Sequence, residues 1–187
     1  MNIPQDIAFA IWFLLPAAFA NLIPIFLASM PFLKRFNAPI DGGKTWRGHE
    51  ILGTHKTWRG IIGGIVIATL VLWLQQLAVA NYAWASYIAD GVNYAALPVL
   101  LLGPLFAIGA LGGDAVESFF KRQRNIKSGG SWVPFDQLDY IIGSVFISLF
   151  FVILSPIQYV WIFIVWFVAH LLFSYIGYLV GLKKDPI

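Results

Sequence analysis

The chain contains no cysteine among its 187 residues, and only 11% of them are Asp, Glu, Lys or Arg. The first absence excludes a disulfide scaffold, a thiol nucleophile and a Cys-ligated zinc. The second excludes a water-soluble globular domain, in which about 25% of residues are charged. Twenty-one charged side chains (12 Lys+Arg, 9 Asp+Glu) could not wet the surface of a core this size, and a coiled coil or a disordered chain would need still more. What is abundant is apolar: 59% hydrophobic and 17% aromatic, with a mean hydropathy of +0.78. Together these values describe one compact integral membrane domain over residues 1–187.

A transmembrane helix needs about 20 apolar residues to cross about 30 Å of hydrocarbon. Spans are expected at about 7–33, bent by Pro16 and Pro24, and at 61–80, 95–113, 135–154 and 157–181, the last two joined by a tight turn at Pro156. The fold class is therefore an all-α integral membrane protein of five transmembrane helices. A secretory leader is not expected, because the first apolar stretch is too long and lacks a basic start. With five spans, all twelve cations fall on one side: in the loop 34–60, in the loop 114–134, and at Lys183 and Lys184. The positive-inside rule makes that side cytoplasmic, with the N-terminus outside and the C-terminus inside.

Seven of the nine acids share that side: Asp41, Glu50, Asp114, Glu117, Asp136, Asp139 and Asp185. Asp114, Glu117, Ser118 and Lys121 fall at i, i+3, i+4 and i+7, one face of a helix if the third span continues. Asp136 and Asp139 are also i, i+3. Residues 140–154 give only about 22 Å of helix, so a span starting near Phe135 puts both aspartates in its first turn. Clustered carboxylates without His or Cys suit a hard cation such as Mg²⁺, which often arrives with phosphate. Interfacial capping of a helix N-terminus explains Asp136 taken alone. Four acids around a Gly-rich basic loop point instead to a site, since intramembrane ionisable groups are usually functional.

The first loop carries the pentapeptide Lys-Thr-Trp-Arg-Gly twice, at 44–48 and 56–60. Lys, Thr and Arg supply donors, and the second copy ends where the second span starts, so its amides face a helix N-terminus suited to anions. Lys56, Thr57 and Arg59 are assigned to phosphate, and Trp46 and Trp58 to the aromatic belt. The pattern is not a Walker A loop. His49 and His55 flank glycine-rich sequence as groups that titrate or line a site. His170 reads as a buried hydrogen-bonding residue, and Gln75 and Gln76 as interfacial.

Two stretches then resemble a known family. Gly113-Asp114-Ala-Val-Glu117-Ser118-Phe-Phe-Lys121-Arg122, then Lys127, then Pro134-Phe-Asp136-Gln137-Leu-Asp139-Tyr-Ile-Ile-Gly143, resemble the signature of the CTP-dependent membrane cytidylyltransferases. The Lys-Thr-Trp-Arg-Gly loop and the short chain look most like the archaeal branch that makes CDP-archaeol. The longer phosphatidate cytidylyltransferases carry Gly-His-Gly-Gly and Asp-Arg-x-x-Asp-Ser elements. Here Ser128-Gly-Gly-Ser131 stands for the first, and Gln137 and Tyr140 replace the Arg and Ser of the second.

The resemblance implies transfer of CMP from CTP to an unsaturated archaeal ether-lipid phosphate, digeranylgeranylglyceryl phosphate, giving CDP-archaeol and pyrophosphate for membrane phospholipid biosynthesis. The alternative within the family makes CDP-diacylglycerol from phosphatidate. It further implies Asp114, Asp136 and Asp139 as Mg²⁺ ligands, with Glu117 as a further ligand or supporting carboxylate. Lys121, Arg122 and Lys127 would hold triphosphate or lipid phosphate, Ser118 would donate a hydrogen bond, and Lys56, Thr57 and Arg59, with Lys44 and Arg47, would hold CTP. The implied partners are CTP and a lipid phosphate in the cell membrane; a homodimer is compatible, and no nucleic acid is expected. A small transporter is disfavoured because the middle of the spans is nearly bare of ionisable groups except for His170. A CDP-alcohol phosphotransferase is disfavoured because Asp41-Gly42 is not followed by that family's motif. A non-catalytic scaffold would leave the four acids without a purpose.

Overall fold

The computed structural model describes residues 2–127 and 130–181, so Ser128, Gly129, Lys183, Lys184 and Asp185 lie outside the described residues. Helix α1 spans Ile3–Ser29, with Pro4 in its first turn and Asp6 complementing the helix dipole there. It ends just before Pro31, which opens a short 3₁₀ turn. A small hairpin follows, Thr45–Trp46 (β1) against His49–Glu50 (β2), with Arg47 and Gly48 both at positive φ in its two-residue turn. Helix α2 spans Trp58–Asn81, α3 Ala83–Ile88, α4 Val99–Gln123, α5 Phe135–Ser148 and α6 Pro156–Leu179.

Four of these helices, α1, α2, α4 and α6, are long and apolar enough to cross a membrane. This is a membrane protein whose apolar residues cover its outside as well as its core: Leu100 is 85% exposed and Ile153 86%. The packed interior joins Phe9, Phe13 and Leu14 of α1 to Leu72 of α2, Phe106 of α4, Ile141 of α5 and Ile162 of α6. Gln75 and Gln76, read from the sequence as interfacial, both bond to the backbone of neighbouring segments. Gln75 is buried and donates to the Trp12 carbonyl, and Gln76 donates to the Tyr94 carbonyl, so each satisfies backbone inside the bundle.

Several boundaries differ from the sequence expectation. Helix α1 lies four residues earlier than the expected 7–33, because Pro4 sits in its first turn and Pro31 follows its end, so residues 31–33 form the 3₁₀ turn instead. The third span does not begin at 95: Tyr94–Ala96 form a 3₁₀ turn, and Pro98 delays α4 to Val99. That helix then runs ten residues past Gly113 to Gln123, so much of the expected loop 114–134 is helical. The fourth segment starts at Phe135 as expected but ends at Ser148 rather than 154. There the Ser148 hydroxyl takes up the Val145 carbonyl, and Phe150 and Phe151 close tighter i→i−3 turns. Helix α5 has 14 residues, so the five expected spans become four long helices and a short one.

The polar contacts sort to two ends of the bundle. At one, Asp90 accepts from Gln5 of α1 and from Gln158 of α6. Gln158 also closes a capping box with Ser155, which starts α6 sharply at Pro156. At the other end lie all three ion pairs found among the described residues. Residues 149–154 complete the path from α5 to the Asp90 end.

Candidate active site

The site forms where three pieces meet: the end of the first loop, the last turns of α4 and the first turns of α5. Lys56 is held from both sides in the chain. Ile40 donates to its carbonyl, Trp58 donates to the Ala38 carbonyl, and Pro39 bridges to Thr57. Asp41 organises the loop above by accepting from the amides of Gly43 and Leu52. Thr57 then caps α2, its Oγ1 accepting from the Gly60 amide at 3.3 Å.

Helices α4 and α5 approach closely because small residues face each other. Gly109 and Gly113 lie one turn apart on α4, and Gly143 sits opposite on α5. A methyl group on Gly113 would strike the Asp139 carbonyl, and one on Gly143 would strike the Gly109 carbonyl. This is the small-xxx-small packing that lets membrane helices touch backbone to backbone. Its consequence is chemical: it brings Asp139 alongside Asp114 and Glu117.

Asp114, Glu117 and Asp139 each offer an oxygen, and those oxygens lie within 4.8 Å of one another. Asp114 Oδ2 accepts from Lys56 Nζ at 2.5 Å. Lys121 Nζ lies 2.6 Å from Asp136 Oδ1 and 3.2 Å from Glu117 Oε1. That Glu117 oxygen is buried and makes no aligned hydrogen bond. The donor set is all oxygen, and the buried Glu117 Oε1 has an ion pair with Lys121 but no aligned hydrogen bond, so the residues present fit a hard divalent ion and the cluster could hold one. Asp136 is beside this group, sharing Lys121 with Glu117; one of its oxygens is engaged by Lys121 and the other by the Trp132 amide at 2.8 Å.

Glu117, Ser118, Lys121 and Arg122 form the inward face of the α4 end, each less than a tenth exposed. Three buried charges on one helical turn and a half are costly unless they are paired or bind something charged. Lys121 is paired; Arg122 has no ion pair among the described residues, and its Nε has no hydrogen-bond partner. Arg59 donates through Nη1 to the Leu33 carbonyl. Lys127 is exposed beyond α4. Lys44 and Arg47 are exposed on the hairpin, Arg47 lying over the Trp46 ring, outside the carboxylate cluster. The identical pentapeptides thus fold differently: the first copy forms the hairpin tip, the second enters the site and starts a helix. His49, His55 and His170 are not members of the carboxylate group; the His170 ring lies 6.0 Å from that of Tyr140.

A family model described as CarS-like, CDP-archaeol synthase, matches residues 4–187. The chain belongs to the CDP-archaeol synthase family. It is 35% identical over 187 residues to the CDP-archaeol synthase of Thermococcus gammatolerans, covering 100% of this chain and 99% of that one. It is 39% identical over 136 residues to the CDP-archaeol synthase of Pyrococcus furiosus, covering 72% of this chain and 71% of the relative. A solved structure of an intramembrane enzyme for archaeal membrane lipids biosynthesis superposes with a TM-score of 0.70 at 28% identity, covering 88% of this chain and 92% of that one.

For a synthase of this family, two features of the site are not evident from the sequence. One is the Lys56–Asp114 pair, joining residues 58 positions apart; no local pattern announces it. The other is the contact of α4 with α5, for which Gly109-x-x-x-Gly113 is the available signal.

Proposed function

We propose that this chain transfers CMP from CTP to digeranylgeranylglyceryl phosphate, releasing pyrophosphate, as a single membrane-embedded nucleotidyltransferase domain. The observation that carries this reading is the meeting of Asp114, Glu117 and Asp139 with Lys56, Lys121 and Arg122 at one end of an apolar bundle. A transporter would place ionisable groups along a path through the bundle, whereas these three ion pairs sit at one end.

A lipid phosphate monoester is already anionic, so one of its oxygens attacks the α-phosphorus of CTP without a strong base. The new P–O bond forms as the α–β bridging bond breaks, and its electron pair leaves on pyrophosphate. The difficulty is the meeting of two polyanions, which fixed cations relieve. Mg²⁺, held by Asp114, Glu117 and Asp139, would supply neutralisation of phosphate charge. Arg122 presents a fork to phosphate oxygens, Lys121 and Lys127 present point charges, and Ser118 donates a hydrogen bond. Asp136 aims Lys121. Lys56 and Arg59 reach the nucleotide from the first loop, while Thr57 holds that loop in place through its cap.

We place this end of the bundle at the cytoplasmic face of the cell membrane, with five segments crossing, because the twelve cations then share that side. CTP stays in water and the lipid tails stay in the bilayer, so the reacting atoms meet at that boundary. Incubation with radiolabelled CTP, Mg²⁺ and either the ether-lipid phosphate or phosphatidate tests the reading. Lipid-soluble label formed faster from the ether lipid is the expected result. Label only in water would overturn the transfer, and preference for phosphatidate would overturn the substrate.

A further inference from the structure

Lys56 and Lys121 neutralise the very acids that would hold a metal. Lys56 Nζ sits on Asp114, and Lys121 Nζ lies between Glu117 and Asp136. Of the trio, only Asp139 has no ion pair among the described residues; its Oδ1 accepts from the Tyr140 amide. The two arginines are arranged differently. Neither Arg59 nor Arg122 pairs with a carboxylate among the described residues.

Resting on the metal reading above, we infer that Lys56 and Lys121 are resident counter-cations that close the acidic cluster to a bare divalent ion and release it when phosphate arrives to receive them. A divalent ion entering alone meets two ammonium groups on its ligands and leaves them beside a like charge. Lys121 cannot retreat into water, because its side chain is only 9% exposed. Polyphosphate changes that balance by giving both ammonium groups new oxygens, which their flexible four-carbon stems can turn to reach. Metal and polyphosphate therefore favour one another's binding, by the same factor in each direction. The lysines position the charge exchange, and the arginines stand ready for phosphate throughout.

The test is the affinity of the purified full chain for Mn²⁺ alone, read from the electron paramagnetic resonance signal of the free ion, with no nucleotide present. Lys56→Met and, separately, Lys121→Met are expected to bind Mn²⁺ at least about fivefold more tightly than the unaltered chain. Lys56→Arg, which keeps the positive charge, is expected to bind as weakly as the unaltered chain. Equal or weaker binding by both methionine variants overturns the inference, as does tighter binding by Lys56→Arg. Asp114→Asn separates the two readings. If it loses Mn²⁺ while the methionine variants gain nothing, the inference alone falls. If it binds Mn²⁺ unchanged, the metal reading falls and takes the inference with it.

Discussion

At the residue scale, the proposed chemistry rests on a few side chains whose exchange gives opposite signatures. Asp139→Asn keeps the size of the side chain and removes its charge from a site that α5 presses against α4. Turnover should fall below detection in the labelled-CTP assay; near-normal rates in purified protein would remove Asp139 from the reaction. Lys56→Ala should raise the KM for CTP by about tenfold, the loss of one charge-assisted contact, with a smaller effect on the KM for lipid. The reverse order would move the first loop to the lipid side. Much of this is legible in the amino-acid sequence, because four acids and four cations at helical spacing in 114–139 are unusual in a chain this apolar. What the sequence does not show is pairing. Spacing places Asp136 with Asp139, yet Asp136 turns to Lys121 and Trp132 while Asp139 faces Asp114 and Glu117.

At the scale of elements, glycine decides the site. Gly113 is adjacent to Asp114, and there, as at Gly109, the α5 backbone leaves no room for a side chain. Gly113→Val should force the two helices apart, lower thermal stability by about 1–3 kcal/mol and reduce turnover far more than that loss of folded protein explains. Retained activity at lowered stability would separate the helix contact from the chemistry. Long apolar runs make α1, α2 and α6 easy to find. The end of α5 is not, because no glycine or proline marks Ser148; hydroxyl back-bonding and tightened turns stop it. The extension of α4 is readable in part, through the Glu117 to Lys121 spacing, but the loop assignment masks it.

At the scale of the whole molecule, sidedness is the proposal most open to direct attack. The absence of cysteine makes the chain a clean host for single-site labelling. Lys44→Cys, on the exposed hairpin, and Ala96→Cys, exposed before α4, should react with a membrane-impermeant maleimide from opposite faces of sealed vesicles. Labelling of both from one face would break the five-crossing arrangement. Hydropathy locates the crossings, and the positive-inside bias orients them, but neither says how deep a charge sits. The burial of those charges within the protein comes from the tertiary contacts of the α4 end.

Asp90 fastens the N-terminal turn of α1 and the start of α6 to a single loop, whereas residues 41–50 on the opposite side are held chiefly by their own turns and by a long contact from Gln123 to the Glu50 carbonyl. Such a body is clasped at one pole, while at the other the hairpin loop hangs loosely beside the paired helix ends. Amide deuteration in micelles should run fast through 41–55 and slowly through 83–90, so that breathing motion collects where a nucleotide must come and go.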